Sequence, residues 1–206
     1  MKQIKNIFIH TLSFFYDTSE INEIFYECVS HISGKSRSQV IMALSDKASE
    51  ELIAQCNTML QRLKKGEPMQ YVLGFEWFDG MKFAVDSRVL IPRPETIALV
   101  EEAEKILNAK CGMLNAEYSK LNKTGKFRVL DIGTGSGAIA VSIKKRIHEA
   151  EVVAADISEG ALEVASANAK SNEADVKFVC DDALSDSFLS EFQPFDIIVS
   201  NPPYIC

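Results

Sequence analysis

Between Leu130 and Ala138 three glycines, Gly133, Gly135 and Gly137, stand at alternate positions, directly after an apolar run and directly before a helical one. No other stretch constrains the fold as strongly. Glycine lets a backbone take positive φ and approach a ligand with no Cβ in the way, and a helix start offers unpaired N–H groups and positive potential. Such a turn needs a strand to feed it and a helix to follow. Around it, apolar runs at 128–132, 151–155, 176–180 and 195–200 alternate with helical stretches at 138–148 and 159–171. That alternation predicts an α/β domain built on a parallel sheet with covering helices, Rossmann-like in arrangement.

Upstream the periodicity changes. Residues 1 to 65 carry apolar positions three and four apart and no strand-like alternation, as in Ile4, Ile7, Phe8, Leu12 and Phe15 and again in Leu52, Cys56, Met59, Leu60 and Leu63. Ser49 is placed to cap the second stripe, with Glu50 and Glu51 in its first turn, and Gly66 and Pro68 stop it. This predicts a small bundle of four or five helices. From Gln70 to Val85 aromatic and β-branched residues dominate, and Asp79-Gly80 supplies a tight turn, which predicts a β-hairpin. Pro92 and Pro94 fix an extended loop before a helix over 95–108, and the polar residues 110–126 read as a solvated connection. The expected organisation is a helical domain over 1–68, a hairpin and linker over 69–94, and an α/β domain over 95–206. The chain stops at Cys206, just after a fourth strand and with no closing helix. That predicts a truncated sheet with an unpaired edge, a partly exposed core and low stability.

Composition narrows the function classes. With 206 residues, 47% hydrophobic and 25% charged, the chain has material for one or two packed cores, and its net charge of −7 disfavours binding to phosphate backbones. A protein partner or a small substrate is favoured over nucleic acid. Cys28, Cys56, Cys111, Cys180 and Cys206 show neither C-x-x-C pairing nor a neighbouring histidine pattern, so they read as reduced, mostly buried thiols, and no metal site is expected. No apolar stretch is long enough to span a bilayer and the first residues are unlike a signal peptide, so a cytoplasmic protein is expected.

Two further positions carry chemistry. Asp156 closes the second strand of the α/β pattern about twenty residues beyond the glycines, where a carboxylate accepts hydrogen bonds from both hydroxyls of a ribose. A solvated loop carboxylate or a helix cap is the alternative at that position. Asn201-Pro202-Pro203-Tyr204 follows the fourth strand. The Asn201 side-chain oxygen and the Pro202 carbonyl present two acceptors to the two N–H bonds of a planar NH₂ group. The proline rings stiffen that loop and remove competing N–H donors, and Tyr204 offers a face for stacking. A plain turn is the alternative here.

The glycine spacing, D-x-G-x-G-x-G, brings the third glycine one residue sooner than in dinucleotide folds and is similar to that of class I methyltransferases. Taken in order, Gly66-Glu67-Pro68-Met69-Gln70-Tyr71-Val72-Leu73-Gly74, Leu90-Ile91-Pro92-Arg93-Pro94-Glu95-Thr96, Leu130 to Gly137 and Asn201 to Tyr204 closely resemble the release factor glutamine methyltransferase family, also called the HemK or PrmC family. The resemblance extends over nearly the whole chain. It implies S-adenosylmethionine as cofactor and N5-methylation of the glutamine in the Gly-Gly-Gln loop of peptide-chain release factors, with the helical domain helping to hold the release factor. It further implies that Gly133, Thr134, Gly135, Ser136, Gly137, Asp156 and Asn201 contact or adjoin the cofactor, and that Asp182 and Ala183 lie beside the adenine, a solvated loop or a helix cap being the alternative at those two positions. Asn201, Pro202, Pro203 and Tyr204 would receive the glutamine, with Asn201, Pro202 and Tyr204 catalytic. The Ile-Pro-Arg-Pro-Glu-Thr loop would lie near the active site. This chain departs from the family at Ile97, where members carry glutamate, and at Ala183, where many carry a bulkier residue. A DNA or RNA amino-methyltransferase and a cofactor-binding module without activity are the alternatives.

Overall fold

The structure, a computed structural model, describes residues 1–112, 127–188, 190 and 192–202, with residues 110–112 described by their backbone alone. The chain divides into two compact units, Met1–Gly74 and Phe75–Cys206.

The first unit is helical: α1 (Lys2–Leu12), α2 (Thr18–Ser33), α3 (Arg37–Met42), α4 (Glu50–Lys64) and the short α5 (Met69–Leu73). Local sequence sets the boundaries. Asp17 accepts the N–H groups of Ser19 and Glu20 while Glu20 reaches back to the Asp17 N–H, and Ser36 and Gln39 repeat this reciprocal cap at α3. Gly34 closes α2 in the left-handed region. Ser49 caps α4 as its sequence predicts, accepting from Leu52 N–H at 3.2 Å. Ile4, Phe8 and Leu12 from α1 meet Phe25 and Val29 from α2 and Cys56, Leu60 and Leu63 from α4 in one buried cluster, with Phe8 and Phe25 edge to face. Phe15, expected in the same apolar stripe, instead stands about half exposed, because α1 ends at Leu12.

One expectation changes here. Residues Met69–Leu73, read from their aromatic and β-branched content as the start of a hairpin, form α5. Propensity yields to a local device: Arg62 on α4 donates to the Tyr71 carbonyl at 3.0 Å and the Val72 carbonyl at 3.2 Å, while its guanidinium is paired with Glu67. A cation on the last carbonyls of a helix satisfies acceptors that the helix leaves unpaired, and Gly74 at φ +80° ends the turn.

The second unit opens with the hairpin proper, β1 (Phe75–Phe78) and β2 (Met81–Ala84), joined by Asp79-Gly80, both at positive φ as a two-residue hairpin turn requires. A 3₁₀ turn at Pro94–Thr96 precedes α6 (Ile97–Gly112), so the helix expected from residue 95 begins two residues later. The remainder of the polar connection, residues 113–126, lies outside the described residues. Then follow β3 (Arg128–Ile132), α7 (Ala138–Arg146), β4 (Glu151–Asp156), α8 (Glu159–Ser171), β5 (Val176–Cys180) and β6 (Ile197–Ser200). The four strands form a parallel sheet in the order β5-β4-β3-β6. Alternation sorts their side chains between two faces. Val129, Val152 and Ala154 join Phe78, Phe83, Val100, Leu107 and Ile143 in the larger cluster, whereas Leu130, Val153 and Ala155 pack under Val179, Phe188, Phe192 and Phe195. β6 is shorter than its apolar run because Phe195 and Asp196 serve other ends: Asp196 accepts the Arg128 N–H at 2.8 Å, and Phe195 packs on the smaller cluster beneath the Arg128 guanidinium.

Candidate active site at the carboxyl ends of the strands

In this sheet β3 is the strand from which the order runs outward in both directions, to β4 and β5 on one side and to β6 on the other. The chain leaving β3 crosses to β4 on one side while β6 lies on the other, and the crevice outside the carboxyl ends at such a reversal of strand order is the usual ligand position in an open α/β sheet. Ile132 pairs with Ser200, and the Ser200 hydroxyl donates to the Ile132 carbonyl at 2.8 Å. Gly133 and Asn201 are the next residues on each strand. They leave the sheet side by side, with neighbouring strands about 4.8 Å apart.

The glycine turn is held against β4. The N–H groups of Gly133 and Thr134 both donate to the Ala155 carbonyl, at 2.8 and 3.1 Å, and the Gly137 N–H donates to the Thr134 carbonyl at 2.9 Å. Gly133, Gly135 and Gly137 have φ of +69°, +55° and +79°. Their reasons for being glycine differ. A Cβ on Gly133 or Gly135 would meet nothing within 4 Å, whereas one on Gly137 would lie 3.1 Å from the Ala165 Cβ. The first two leave an open backbone face toward the crevice, and the third lets α7 approach α8. Thr134 and Ser136 are buried, and the Thr134 hydroxyl donates to Asp131 Oδ2 at 2.7 Å. A ligand would meet these two residues through their backbone.

Asp156 ends β4 and faces the turn, its Oδ2 accepting the Gly135 N–H at 2.9 Å and its Oδ1 accepting the Ser158 N–H at 3.0 Å. Ser158, and not Asp156, caps α8. Each carboxylate oxygen keeps a further lone pair for a ligand hydroxyl. The Asp181 N–H bonds the Asp156 carbonyl at 3.2 Å, so the loop after β5 runs along the same rim and carries exposed Asp182 and Ala183. Asn201 is half-buried and its Nδ2 donates to the Thr96 hydroxyl at 3.1 Å, while Pro202 is exposed. The Ile-Pro-Arg-Pro-Glu-Thr loop thus meets the Asn-Pro strand end. Pro203 and Tyr204 lie outside the described residues.

Two polar residues at this site were not singled out by sequence reasoning. Asn168, 1% exposed on α8, accepts the Ala84 N–H at 2.7 Å and donates to the carbonyls of Ala84 at 3.0 Å and Ser136 at 2.9 Å. It fastens the end of β2 to the glycine turn. The signal for it was an asparagine in line with Val164 and Ala165, inside the buried stripe of α8. Asp131 is fully buried behind the turn, and burial pushes its carboxyl up to about 6, an effect opposed by the Thr134 hydroxyl and the nearby Ala140 N–H and reinforced by the Asp156 charge. Burial also pushes the Cys28 thiol up to about 12 and the Cys56 thiol to about 11, so neither is a nucleophile at neutral pH. Among the described residues no group of three or more His, Cys, Asp or Glu gathers as a metal site, and no helix is long and apolar enough to cross a membrane.

The sequence matches two families, one described as PrmC N-terminal domain over residues 17–74 and one as Methyltransferase small domain over residues 116–205. It is 37% identical over 205 residues to a release factor glutamine methyltransferase of Flavobacterium psychrophilum, an alignment covering 100% of this chain and 67% of that protein. It is 40% identical to the Bacillus subtilis protein of the same name over 84% of this chain and 56% of that one. With the Chlorobaculum tepidum protein of that name it shares 41% identity over 86% of this chain and 58% of that one. The chain therefore spans between 56% and 67% of the length of these three relatives. Matched along its whole length by a relative of which it covers two thirds, the chain belongs to the release factor glutamine methyltransferase family.

Proposed function

We propose that this chain carries the catalytic crevice of an S-adenosylmethionine-dependent methyltransferase that transfers a methyl group to the N5 amide nitrogen of the glutamine in the Gly-Gly-Gln loop of a peptide-chain release factor. The observation that carries the reading is the side-by-side exit of the open glycine turn and Asn201 from adjacent strands β3 and β6. The names of the relatives point to the same substrate.

The residues present fit the cofactor. Gly133 and Gly135 keep clear the space a side chain would fill, and Asp156 holds its carboxylate at the rim with acceptors to spare for ribose hydroxyls. Asp182 and Ala183 lie along the same rim, Ala183 offering a small apolar neighbour to the adenine. Bound there, the cofactor supplies a methyl group on a positively charged sulfur. An amide nitrogen is a poor nucleophile because its lone pair is conjugated with the carbonyl, so the work left to the chain is orientation. Asn201 Oδ1 and the Pro202 carbonyl accept the two N–H bonds of the glutamine amide and turn its nitrogen toward the crevice floor. Pro203 and Tyr204 complete the cradle, Tyr204 by stacking on the flat amide. Fixing one geometry before reaction, and surrounding the nitrogen with acceptor dipoles as it gains positive charge, are the two contributions expected.

The helical unit holds the release factor, and the net charge of −7 supports a protein acceptor over nucleic acid. A protein of this kind works in the cytoplasm, where release factors act. The test is incubation of the chain with methyl-labelled cofactor and, in parallel, a release factor, DNA and RNA, with the modified position mapped by mass spectrometry. Label confined to the Gly-Gly-Gln glutamine is expected. Label on a nucleic-acid amino group, or cofactor binding with no transfer to any acceptor, would overturn the reading.

A further inference from the structure

The side-chain amide of asparagine is nearly symmetric in shape, and its two ends differ only in that one accepts hydrogen bonds and the other donates them. If Asn201 is to accept from a substrate NH₂ group, its oxygen must face the crevice. Rotated by half a turn, it would present its own NH₂ to the substrate NH₂, donor against donor. Nothing within Asn201 holds the side chain in the productive pose, so a neighbour has to.

Thr96 is that neighbour. Its hydroxyl accepts the Asn201 Nδ2 at 3.1 Å across 105 positions of sequence. Thr96 is held in turn. It ends the 3₁₀ turn Pro94–Thr96, its own N–H donates to the Arg93 carbonyl at 3.0 Å, and Pro94 fixes the backbone at the start of that turn. A β-branched residue also has a restricted χ1, which limits where its hydroxyl points. The stiff proline loop thereby brings a hydrogen-bonding partner to the Nδ2 end of the Asn201 amide, anchoring the side chain with its other end, Oδ1, left for the crevice.

We propose that Thr96 is a positioning residue: by hydrogen bonding the Asn201 side-chain amide it holds that side chain in place beside the crevice, and through that sets the alignment of the substrate nitrogen for methyl transfer. The proposal deepens the reading of the site given above and rests on it. Thr96 itself touches no reacting atom, and its hydroxyl acts only through Asn201. The proposal also gives the loop that runs from Ile91 to Thr96 a catalytic purpose that its prolines alone do not explain.

The experiment compares the unaltered chain with Thr96→Val, which keeps the shape and removes the hydroxyl, and Thr96→Ser, which keeps the hydroxyl. The first readout needs no activity: the Asn201 side-chain NH₂ resonances in ¹⁵N-labelled protein, identified by their loss in Asn201→Asp. In Thr96→Val these resonances move and their exchange with water accelerates, while in Thr96→Ser they stay close to their original positions. The second readout is methyl transfer to a release factor. Thr96→Val lowers kcat by about 10- to 100-fold, the scale expected for a misaligned reacting group, with KM and the Kd for S-adenosylhomocysteine changed less than about twofold, and Thr96→Ser restores most of the loss. Asn201 resonances indifferent to Thr96→Val would overturn the proposal, and so would a transfer rate unaffected by it. An unaltered chain that transfers nothing to glutamine would overturn the proposed function instead, with the resonances still reporting whether Thr96 holds the amide.

Discussion

Gly135 and Gly137 stand two residues apart, both at positive φ, yet alanine at each should fail for a different reason. For Gly137→Ala the left-handed backbone costs about 1–2 kcal/mol and the new Cβ, 3.1 Å from the Ala165 Cβ and 3.2 Å from its Cα, adds an overpacking cost of about 1–3 kcal/mol. Lower entropy of the unfolded chain returns about 0.4–1 kcal/mol, leaving a net loss of about 1–5 kcal/mol. In a chain of this size that lowers the melting temperature by about 2–20 °C. For Gly135→Ala the backbone cost applies alone, because no atom lies within 4 Å of the new Cβ, and the net loss is about 1.6 kcal/mol or less. Its Cβ instead enters the space assigned to the cofactor, and affinity for S-adenosylhomocysteine should fall by at least about tenfold, or about 1.4 kcal/mol. Thermal melts and titration calorimetry on the two variants separate the effects. Equal losses of stability, or wild-type affinity in Gly135→Ala, would refute the division of labour drawn between these glycines.

Three further perturbations probe the surroundings of the site. Asp131 has a folded-state carboxyl raised to about 6 from an ordinary 3.8, so stability fully present below that lower value is lost as pH rises through about 6. Melts at about pH 5 and pH 8 should show this loss in the wild type and a smaller one in Asp131→Asn; equal slopes would contradict it. Asn168→Ala leaves the Ala84 and Ser136 backbone groups without their partner and should cost about 2–4 kcal/mol in urea denaturation while weakening cofactor binding; an unchanged urea midpoint would contradict this. Arg146 bridges Asp79 in the hairpin turn and Glu104 on α6, and Arg146→Met should destabilise by about 1–3 kcal/mol with cofactor affinity retained, an outcome read from the same two assays.

What could be read in advance depended on the range of the forces involved. The parallel strands and α8 were legible because period and caps are local, and β3 and β5 begin and end where their apolar runs do. Ser49 was legible for the same reason. Met69–Leu73 was misread because its helix depends on a guanidinium from α4, which no window around Tyr71 contains. The candidate site residues Gly133, Gly135, Asp156 and Asn201 stood out by type and spacing. Their partners did not. That the Gly135 N–H would be taken by Asp156, that Asn168 would reach Ser136, and that Thr96 would hold Asn201 are consequences of packing between elements far apart in sequence.

The most direct test of the account is a crystal structure of this chain with S-adenosylhomocysteine and a Gly-Gly-Gln peptide. The glutamine amide nitrogen should lie within hydrogen-bond reach, roughly 2.7–3.2 Å, of Asn201 Oδ1 and the Pro202 carbonyl, with the sulfur of the bound nucleoside in the crevice above Gly133 and Gly135. A glutamine bound elsewhere, or an Asn201 side chain turned away from it, would contradict the claim that these two strand ends form one active site.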